Sequence, residues 1–404
     1  MTTTTTSTPN EVLFSAAARG MRFSAIRRMS ALIERPGIIS FAPGQPSPDT
    51  FPVDELRGMA DDIIARDGAS TFQYILTRGL GPLLEEIGRY AQAKDMPTQP
   101  AERLVTEGSQ QGLDLVARVL VDPGDVVLVE LPSYIGATSA FRAAQAQMEG
   151  VRLTERGIDL DHLRWRHRTV TGQGRVVKFL YVVPSFQNPS GITHDAAARA
   201  ALLELAAELD LLIVEDDPYA DLYFDAAPPP TLRSLDRSGR VVYLSSFSKI
   251  LAPGLRTAFI LGPEDVLAKI EIAKQSANLC GSSLDQRLVL ECLRRGLVER
   301  QKAAIRPYYR DKCRRMLDAL AAEMPEGTHW TRPSGGLFVW LTLAGERSAE
   351  DLLPAAVEEG VAYVAGRSFF VDDSGPGTMR LTFAKESPEN IEEGVRRLSR
   401  AARR

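Results

Sequence analysis

The chain has 404 residues, of which 44% are hydrophobic and 25% are charged, and its formal net charge is −4. This length can bury a large core. The one dense basic stretch, the arginines of residues 396–404, is typical of the solvated face of a last helix, so the sequence predicts no nucleic-acid partner. The three cysteines form no CxxC pair and the four histidines no HExxH motif, which argues against a disulfide framework or a metal site and favours a reducing cytoplasm.

The N-terminus begins with Met1 and a run of threonines, without the charged and apolar regions of a signal peptide. We therefore expect residues 1–20 to form a disordered or flexible tail. No stretch approaches the roughly 18 apolar residues of a membrane-spanning helix, so the sequence predicts a soluble protein without a membrane partner.

Short apolar runs alternate with longer amphipathic segments in the middle of the chain. The runs are nearly continuous and rich in Val, Ile and Leu, which is typical of strands buried on both faces. Helical patterns such as 110–120 and 196–209 lie between them, so the sequence predicts a mostly parallel sheet covered by helices on both sides. The predicted strands include 126–129, 176–183, 211–214, 241–244 and 258–261.

Polar side chains follow three of these predicted strands. Asn188 comes after the second run, Asp216 directly after the third and Lys249 after the fourth. Open α/β sheets bind their ligands beyond the carboxyl ends of the strands. The three residues are therefore candidates for a single site.

The pattern changes after about residue 300. A long helix is predicted over 297–323, and the glycine pair Gly335-Gly336 opens a further strand. A second, smaller unit is therefore predicted in the C-terminal part of the chain.

Lys249 gives the strongest chemical signal. It leaves a buried strand through Ser246-Phe247-Ser248, and burial lowers the pKa of a lysine toward the neutral amine that imine formation requires. The serine hydroxyls and Arg256 on the same loop suit a phosphate dianion. Ser-x-Ser-Lys alone is common and more typical of a solvated loop lysine, but the arginine seven positions later favours the functional interpretation.

Three further features each allow a functional and a structural interpretation. Ser109 follows Gly108 at the start of a predicted helix, where free N–H groups bind anions, although an N-cap serine is the simpler interpretation. Asp216 could pair with a protonated ring nitrogen, or could belong to a solvated acidic turn. Arg380 lies inside an apparent strand and needs an anionic partner, either a substrate carboxylate or an internal acid.

In this order and spacing the motifs resemble the fold-type I, class I/II aminotransferases, which depend on pyridoxal 5′-phosphate (PLP). The resemblance is closest to the 2-aminoadipate and kynurenine aminotransferase group and covers about residues 22–397. It rests on the combination of Gly108-Ser109-Gln110, Pro132-Ser133-Tyr134, Gln187-Asn188-Pro189-Ser190-Gly191, Asp216-Asp217-Pro218-Tyr219, Ser246-Phe247-Ser248-Lys249 with Arg256, and Arg380.

The resemblance implies catalytic and cofactor-binding roles. Lys249 forms a Schiff base with PLP and later moves the substrate proton, while Asp216 pairs with the pyridine nitrogen. Asn188 and Tyr219 hydrogen-bond the phenolic oxygen, and Tyr134 stacks on the ring. The phosphate is held by Ser109, Gln110, Ser246 and Arg256, with Ser248 as a further candidate.

The resemblance also implies a substrate site and a homodimer. Arg380 clamps the α-carboxylate of the substrate, with Asn188 and Gly44 beside it. Tyr74 resembles the tyrosine that reaches the phosphate of the neighbouring subunit. Arg27 falls where the 2-aminoadipate group places an arginine for a distal carboxylate, although a surface helix residue is an equal alternative.

The implied fold is α/β, the PLP-transferase fold type I, with a large domain whose mostly parallel sheet is sandwiched by helices and a smaller α+β domain. On this pattern residues 21–50 form an N-terminal arm or helix over the active site, as part of the small domain. Residues 51–300 form the large PLP-binding domain and residues 301–404 the small C-terminal domain.

Two segments depart from the family pattern. Close relatives show a glycine pair where this chain has Pro43-Gly44-Gln45-Pro46, and residues 75–81 lack the usual small and acidic residues. Phe23 and Pro43 favour an aromatic or bulky apolar amino donor, with 2-aminoadipate as an alternative. The other pair of a ping-pong reaction would be glutamate and 2-oxoglutarate.

Two other functions are weighed against transamination. A β-lyase, decarboxylase or racemase on the same fold would use the same cofactor residues, and Arg380 together with the family pattern favours transamination. A PLP-binding sensory domain of a transcription regulator is less compatible, because the resemblance begins within about the first 25 residues.

Overall fold

The residues that the computed structural model describes, 10–21 and 37–404, form three β-sheets and the helices that cover them. The strands are β1 (Ile39–Ser40), β2 (Arg103–Thr106), β3 (Val126–Leu131), β4 (Gln147–Thr154), β5 (Gly157–Ile158), β6 (Val177–Val182), β7 (Leu212–Asp216), β8 (Val241–Ser246), β9 (Ala258–Leu261), β10 (His329–Trp330), β11 (Phe338–Thr342), β12 (Val361–Ala362), β13 (Val364–Ala365) and β14 (Thr378–Thr382). The α-helices are α1 (Ala16–Gly20), α2 (Val53–Asp67), α3 (Gly81–Gln92), α4 (Ser109–Leu120), α5 (Ile135–Ala143), α6 (Leu160–Gly172), α7 (Ala196–Glu208), α8 (Leu232–Leu235), α9 (Glu264–Asn278), α10 (Ser283–Arg294), α11 (Leu297–Glu323), α12 (Ala349–Glu358) and α13 (Pro388–Arg403).

The largest sheet has eight strands in the order β2-β9-β8-β7-β6-β3-β4-β5. Its central strands β8, β7, β6, β3 and β4 pair in parallel, and β9 runs antiparallel to both β8 and β2. The short β5 pairs antiparallel with β4 at the other edge. The predicted α/β fold with a mostly parallel sheet is therefore confirmed.

Both faces of this sheet are buried, which explains the nearly continuous apolar runs. Val127 and Val129 of β3 belong to one hydrophobic cluster, and the alternate residues Val126 and Leu128 belong to another. Helix α4 packs into the first cluster and α7 into the second. Each central strand therefore needs apolar side chains at almost every position.

Three strands continue beyond the limits predicted from the sequence. Strand β3 ends at Leu131, β7 at Asp216 and β8 at Ser246. The polar residues at these ends still pair in the ladder, Asp216 with Leu244 and Ser246 with Ala258. Polarity alone suggested loops, but the backbone pairing of a strand does not depend on the polarity of its side chains.

The C-terminal part of the chain forms a four-stranded antiparallel sheet in the order β10-β11-β14-β13. Helices α11 and α13 pack against each other over a shared apolar core, and α12 packs on α13. The N-terminal strand β1 pairs in parallel with β12. Residues 39–40 thus attach to this C-terminal sheet region, while the predicted domain limits stay a prediction.

The structure describes the second half of the predicted flexible tail, from residue 10 onward. Residues Ala16–Gly20 form a short helix, and the Ser15 side chain caps it by accepting a hydrogen bond from the Ala18 N–H at 3.1 Å. Residues 1–9 and 22–36, which include Phe23 and Arg27, lie outside the described residues. Within the described ranges, no helix combines the length and apolar character needed to cross a membrane.

Candidate active site

A cavity of about 280 Å³ lies at the carboxyl ends of β6, β7 and β8. Its walls also include residues of the N-terminal segment and of the C-terminal sheet. The structure brings together here every predicted site residue except Tyr74 and Arg27. They are Gly44, Ser109, Gln110, Tyr134, Asn188, Asp216, Tyr219, Ser246, Ser248, Lys249, Arg256 and Arg380.

The position of the cavity follows from the strand order. After β3 the chain moves to β4 on one side and later returns to β6 on the other side of β3. Loops that leave β3 and β6 in opposite directions open a crevice between them, where open α/β sheets bind ligands. Tyr134 follows β3 and Asn188 follows β6, so both side chains lie in this crevice.

Lys249 ends a single 3₁₀ turn that directly follows β8. Its Nζ donates a hydrogen bond to the Gly44 carbonyl oxygen at 3.0 Å. Burial lowers the pKa of Lys249 to about 8, and the positive charges of Arg380 and Arg256 act in the same direction. Lys249 is therefore not a solvated loop lysine. Near physiological pH its amine is neutral in a substantial fraction of the molecules.

Asp216 ends β7 and is only 3% exposed. Its Oδ2 accepts a hydrogen bond from the Tyr181 hydroxyl at 2.9 Å, whereas Oδ1 is buried without any partner in the protein. Burial raises the pKa of Asp216 to about 7, while Tyr181 and the positive charge of Lys249 oppose this rise. Asp217 and Glu215 are buried too, so the alternative of a solvated acidic turn does not hold.

Arg380 lies on β14 and is buried without an acidic partner among the described residues. It donates from Nη1 to Asn188 Oδ1 at 2.9 Å and from Nη2 to the Ala42 carbonyl oxygen, while Nε has no partner. Its guanidinium carbon lies 4.5 Å from the centre of the Phe338 ring and 5.2 Å from that of Phe369. Burial lowers the pKa of Arg380 to about 10.

Asn188 connects Arg380 to Tyr219. Its Nδ2 donates to the Tyr219 hydroxyl at 3.2 Å while its Oδ1 accepts from Arg380. Tyr219 packs edge to face on Phe338, with ring centres 5.7 Å apart. One amide thus fixes the relative positions of a cation and a phenol at the cavity wall.

The start of helix α4 forms one side of the cavity. Gly108 is the N-cap, with φ +83°, and the Ser109 hydroxyl is buried without a partner, so Ser109 is not the capping residue. A Cβ at Gly108 would overlap the guanidinium of Arg256, which explains why glycine is required there. The free N–H groups of the helix start and the nearby Arg256 make this part of the cavity suitable for an anion.

The serines after β8 complete this anion-binding side. Ser246 Oγ donates to Ser248 Oγ at 2.8 Å and accepts from the Ser248 N–H at 3.0 Å. Arg256 has a left-handed backbone, with φ +43°, and donates to the Glu107 carbonyl oxygen at 3.0 Å. The two hydroxyls and the guanidinium all line the cavity.

Tyr134 stands at the start of α5 and lines the cavity with its ring. A Cβ at Gly136 would overlap this ring, so the glycine allows the ring to lie close to the helix. Gln110 donates to the Gly136 carbonyl oxygen at 2.8 Å and ties α4 to α5. Burial raises the pKa of Tyr134.

Tyr74 lies away from the cavity of its own chain. It is 77% exposed, and its neighbours Phe72 and Leu76 are 68% and 73% exposed. Arg27 lies outside the described residues. Tyr181 is a cavity residue that the sequence analysis missed, because a tyrosine inside an apolar run is interpreted as a core residue.

Comparison with known proteins places the chain among characterised enzymes. A family model described as aminotransferase class I and II matches residues 36–398. The chain is 44% identical to a 2-aminoadipate transaminase of Thermus thermophilus, over 96% of each chain. It is 38% identical to aromatic-amino-acid aminotransferase 1 of Thermococcus litoralis, over 96% of this chain and 94% of the relative.

A solved structure gives the same result. A Pyrococcus horikoshii kynurenine aminotransferase, crystallised with PMP, substrate and product, matches with a TM-score of 0.94 and 38% identity. The match covers 98% of both chains. Among the described residues, no group of three or more His, Cys, Asp or Glu side chains could hold a metal ion.

Proposed function

Since the chain belongs to the aminotransferase class I and II family and is a PLP-dependent aminotransferase, we propose roles for its site residues and a class of substrates. One observation carries the proposal: Lys249 Nζ and the unpartnered, buried Asp216 Oδ1 belong to one cavity. A buried acceptor without a partner is costly unless a ligand satisfies it. The cavity residues therefore fit the cofactor.

Different cavity residues would bind the different groups of PLP. Asp216 Oδ1 would accept the N–H of the protonated ring, Asn188 and Tyr219 would donate to the phenolic oxygen, and Tyr134 would cover the ring. When bound, PLP supplies an electron sink for negative charge at the substrate carbon. The phosphate would be held by Ser109, Gln110, Ser246 and Arg256, with Ser248 as a further donor.

Lys249 would hold the cofactor and move the proton. With a pKa of about 8, Nζ can accept a proton from the substrate α-carbon and return it near physiological pH. Asp216 would keep the ring positively charged because its carboxylate lies in a site of low dielectric constant. Lys249, Asp216, Asn188 and Tyr219 are thus the proposed catalytic residues.

Arg380 would bind the α-carboxylate of amino acid and 2-oxo acid substrates. Its Nε has no hydrogen-bond partner, and it has no acidic partner among the described residues. The guanidinium is therefore available for a carboxylate. Phe338 and Phe369 pack on the guanidinium and would limit the access of water to this contact. Gly44 lies so close to Phe338 and Arg380 that a Cβ would come within 3.1 Å and 3.6 Å of them, so a larger residue would narrow the substrate site.

We propose aromatic, bulky apolar or 2-aminoadipate-like L-amino acids as donors and 2-oxoglutarate as an acceptor, in a ping-pong reaction. The relatives that are named for aromatic amino acids, 2-aminoadipate and kynurenine support this range. The position of Arg27 is not described, and its contact with a distal carboxylate stays a prediction from the sequence.

A panel of donors tests the substrate proposal. The holoenzyme would be assayed with L-kynurenine, L-phenylalanine, L-leucine, L-2-aminoadipate, L-aspartate and L-alanine, each with 2-oxoglutarate. We expect higher kcat/KM for the first four and parallel double-reciprocal plots when both substrates are varied. Preference for aspartate or alanine would refute the substrate class, and release of ammonia or CO₂ without an oxo acid would favour the lyase or decarboxylase alternative.

We also propose a homodimer with shared active sites. Phe72, Tyr74 and Leu76 form an exposed apolar segment, which a second copy would cover. Tyr74 would then reach the phosphate site of that copy. The cytoplasmic location stays a prediction from the cysteine content; the three cysteines are free thiols.

A further inference from the structure

Two buried tyrosine–aspartate pairs flank β7. Tyr181 on β6 donates its hydroxyl to Asp216 Oδ2 at 2.9 Å, and Tyr243 on β8 donates to Asp217 Oδ2 at 2.9 Å. All four side chains are at most 3% exposed. Asp216 and Tyr181 line the cavity, whereas Asp217 and Tyr243 do not.

The Tyr181 hydroxyl distinguishes the two oxygens of Asp216. It satisfies Oδ2 and leaves Oδ1 as the acceptor without a protein partner. The ring of Tyr181 is itself held edge to face against Phe141, with ring centres 5.4 Å apart. A carboxylate held at one oxygen by a rigid donor cannot rotate freely.

We propose that Tyr181 is a positioning residue, which holds Asp216 ionised and turns its free oxygen Oδ1 toward the ring nitrogen of PLP. The inference rests on the proposed role of Asp216 and adds the residue that makes this role possible. It would act through Asp216 and without a bond to the cofactor nitrogen.

The charges around Asp216 show why such a donor is needed. Burial and the neighbouring carboxylate of Asp217 raise the pKa of Asp216, while the Tyr181 hydroxyl and the positive charge of Lys249 lower it. The Tyr181 hydroxyl is the group that favours the carboxylate form through a direct hydrogen bond. Without it, the proton shared with the ring nitrogen would shift toward Asp216.

The experiment compares the affinity of the cofactor-free protein for PLP with its affinity for the 1-deaza analogue, in which C–H replaces the ring nitrogen. Wild type, Tyr181→Phe, Tyr243→Phe and Asp216→Ala would be measured by fluorescence titration. Tyr181→Phe keeps the ring and removes only the hydroxyl. Tyr243→Phe makes the same change at an equally buried tyrosine beside the other aspartate.

We expect Tyr181→Phe to lower the preference for PLP over the analogue by about tenfold, as for the loss of a hydrogen bond to a buried charge. Tyr243→Phe should leave the preference at the wild-type value. In turnover, Tyr181→Phe should lower kcat much more than it raises KM, since it weakens a transition-state interaction.

The two affinities separate the possible failures. If Asp216→Ala loses the preference for PLP but Tyr181→Phe keeps it, Tyr181 does not position Asp216 and the inference is wrong. This includes the case in which Tyr181→Phe weakens the binding of PLP and of the analogue equally. If Asp216→Ala itself retains the preference, the proposed partner of the ring nitrogen is wrong. A general loosening of the site would change both affinities and cancel in their ratio.

Discussion

Replacing Arg380 with methionine should separate stability from activity. Arg380 is 1% exposed, its guanidinium packs on two phenylalanine rings, and it has no acidic partner among the described residues. Methionine keeps an unbranched, uncharged side chain but lacks the guanidinium group. The variant therefore removes the cation and fills the space of the aliphatic part of the arginine side chain.

The effects on stability nearly cancel. Burial lowers the pKa of Arg380 to about 10, so the fold disfavours the charged form by roughly 3 kcal/mol relative to an exposed arginine. Against this gain, the variant loses hydrogen bonds to Asn188 and Ala42, at about 1 kcal/mol each, and the contacts of the cation with the rings, at about 0.5–1 kcal/mol in total. The free energy of unfolding of the cofactor-free protein should change by no more than about 1 kcal/mol.

The effect on activity should be large. A bidentate contact between a guanidinium and a carboxylate contains two charge-assisted hydrogen bonds, and removing one partner of such a buried pair costs about 3–5 kcal/mol. We expect kcat/KM for amino acid substrates to fall about 10²–10³-fold. Urea unfolding and steady-state kinetics of the same preparations measure the two effects.

Arg199→Met is the matched control, because Arg199 is equally buried and fully engaged within the fold. It donates to three main-chain carbonyls and to the Ser185 hydroxyl at 2.9–3.1 Å. Burial also lowers the pKa of Arg199, but Arg199→Met loses four hydrogen bonds, at about 1 kcal/mol each. It should therefore destabilise the protein more than Arg380→Met does and leave kcat/KM of the folded enzyme near the wild-type value. The reasoning would be refuted if Arg380→Met lost more than about 3 kcal/mol of stability, or lost less than tenfold in kcat/KM.

Two further predictions concern Lys249 and the dimer. Unfolded chains keep the lysine proton up to about pH 10.5 whereas folded Lys249 releases it near pH 8, so the cofactor-free protein should gain up to roughly 3 kcal/mol of stability between these pH values. Lys249→Met should remove this gain. Burial also lowers the pKa of Lys312 to about 8, so the measured quantity is the difference in free energy of unfolding between wild type and Lys249→Met as a function of pH. A difference that does not vary with pH would contradict the lowered pKa of Lys249. For the dimer, mixing Tyr74→Phe and Lys249→Ala chains should give hybrids with one unaltered site and more activity than both parents, whereas a fully active monomer in sedimentation would disprove shared sites.

The main cofactor residues were predictable because their sequence signals are local. Lys249 and Asp216 directly follow apolar strands, and the parallel order of β7 and β8 brings their ends to one edge of the sheet. Arg380 was conspicuous as a charge inside an apolar strand. Each signal was ambiguous alone, and burial, which decides between the interpretations, depends on the packing of distant parts of the chain.

The residues that were missed depend on neighbours across the sheet. Tyr181 contacts Asp216 because β6 lies beside β7. The order of strands in a sheet cannot be predicted from a local sequence pattern. The two rings that pack on Arg380 come from β11 and from the 3₁₀ turn Gly366–Phe369 after β13. Tyr74 does not line the cavity of its own chain. Its predicted role therefore requires a second copy of the chain, and the sequence of one chain does not show how two copies pack.

Mapping the attachment of PLP tests the central claim most directly. The full chain would be incubated with PLP, reduced with borohydride and digested, and the modified peptide would be identified by mass spectrometry. We expect one phosphopyridoxyl group per chain, on Lys249, and no such group in Lys249→Ala, which should also lose nearly all turnover. Modification at another lysine, or normal turnover of Lys249→Ala, would contradict the account.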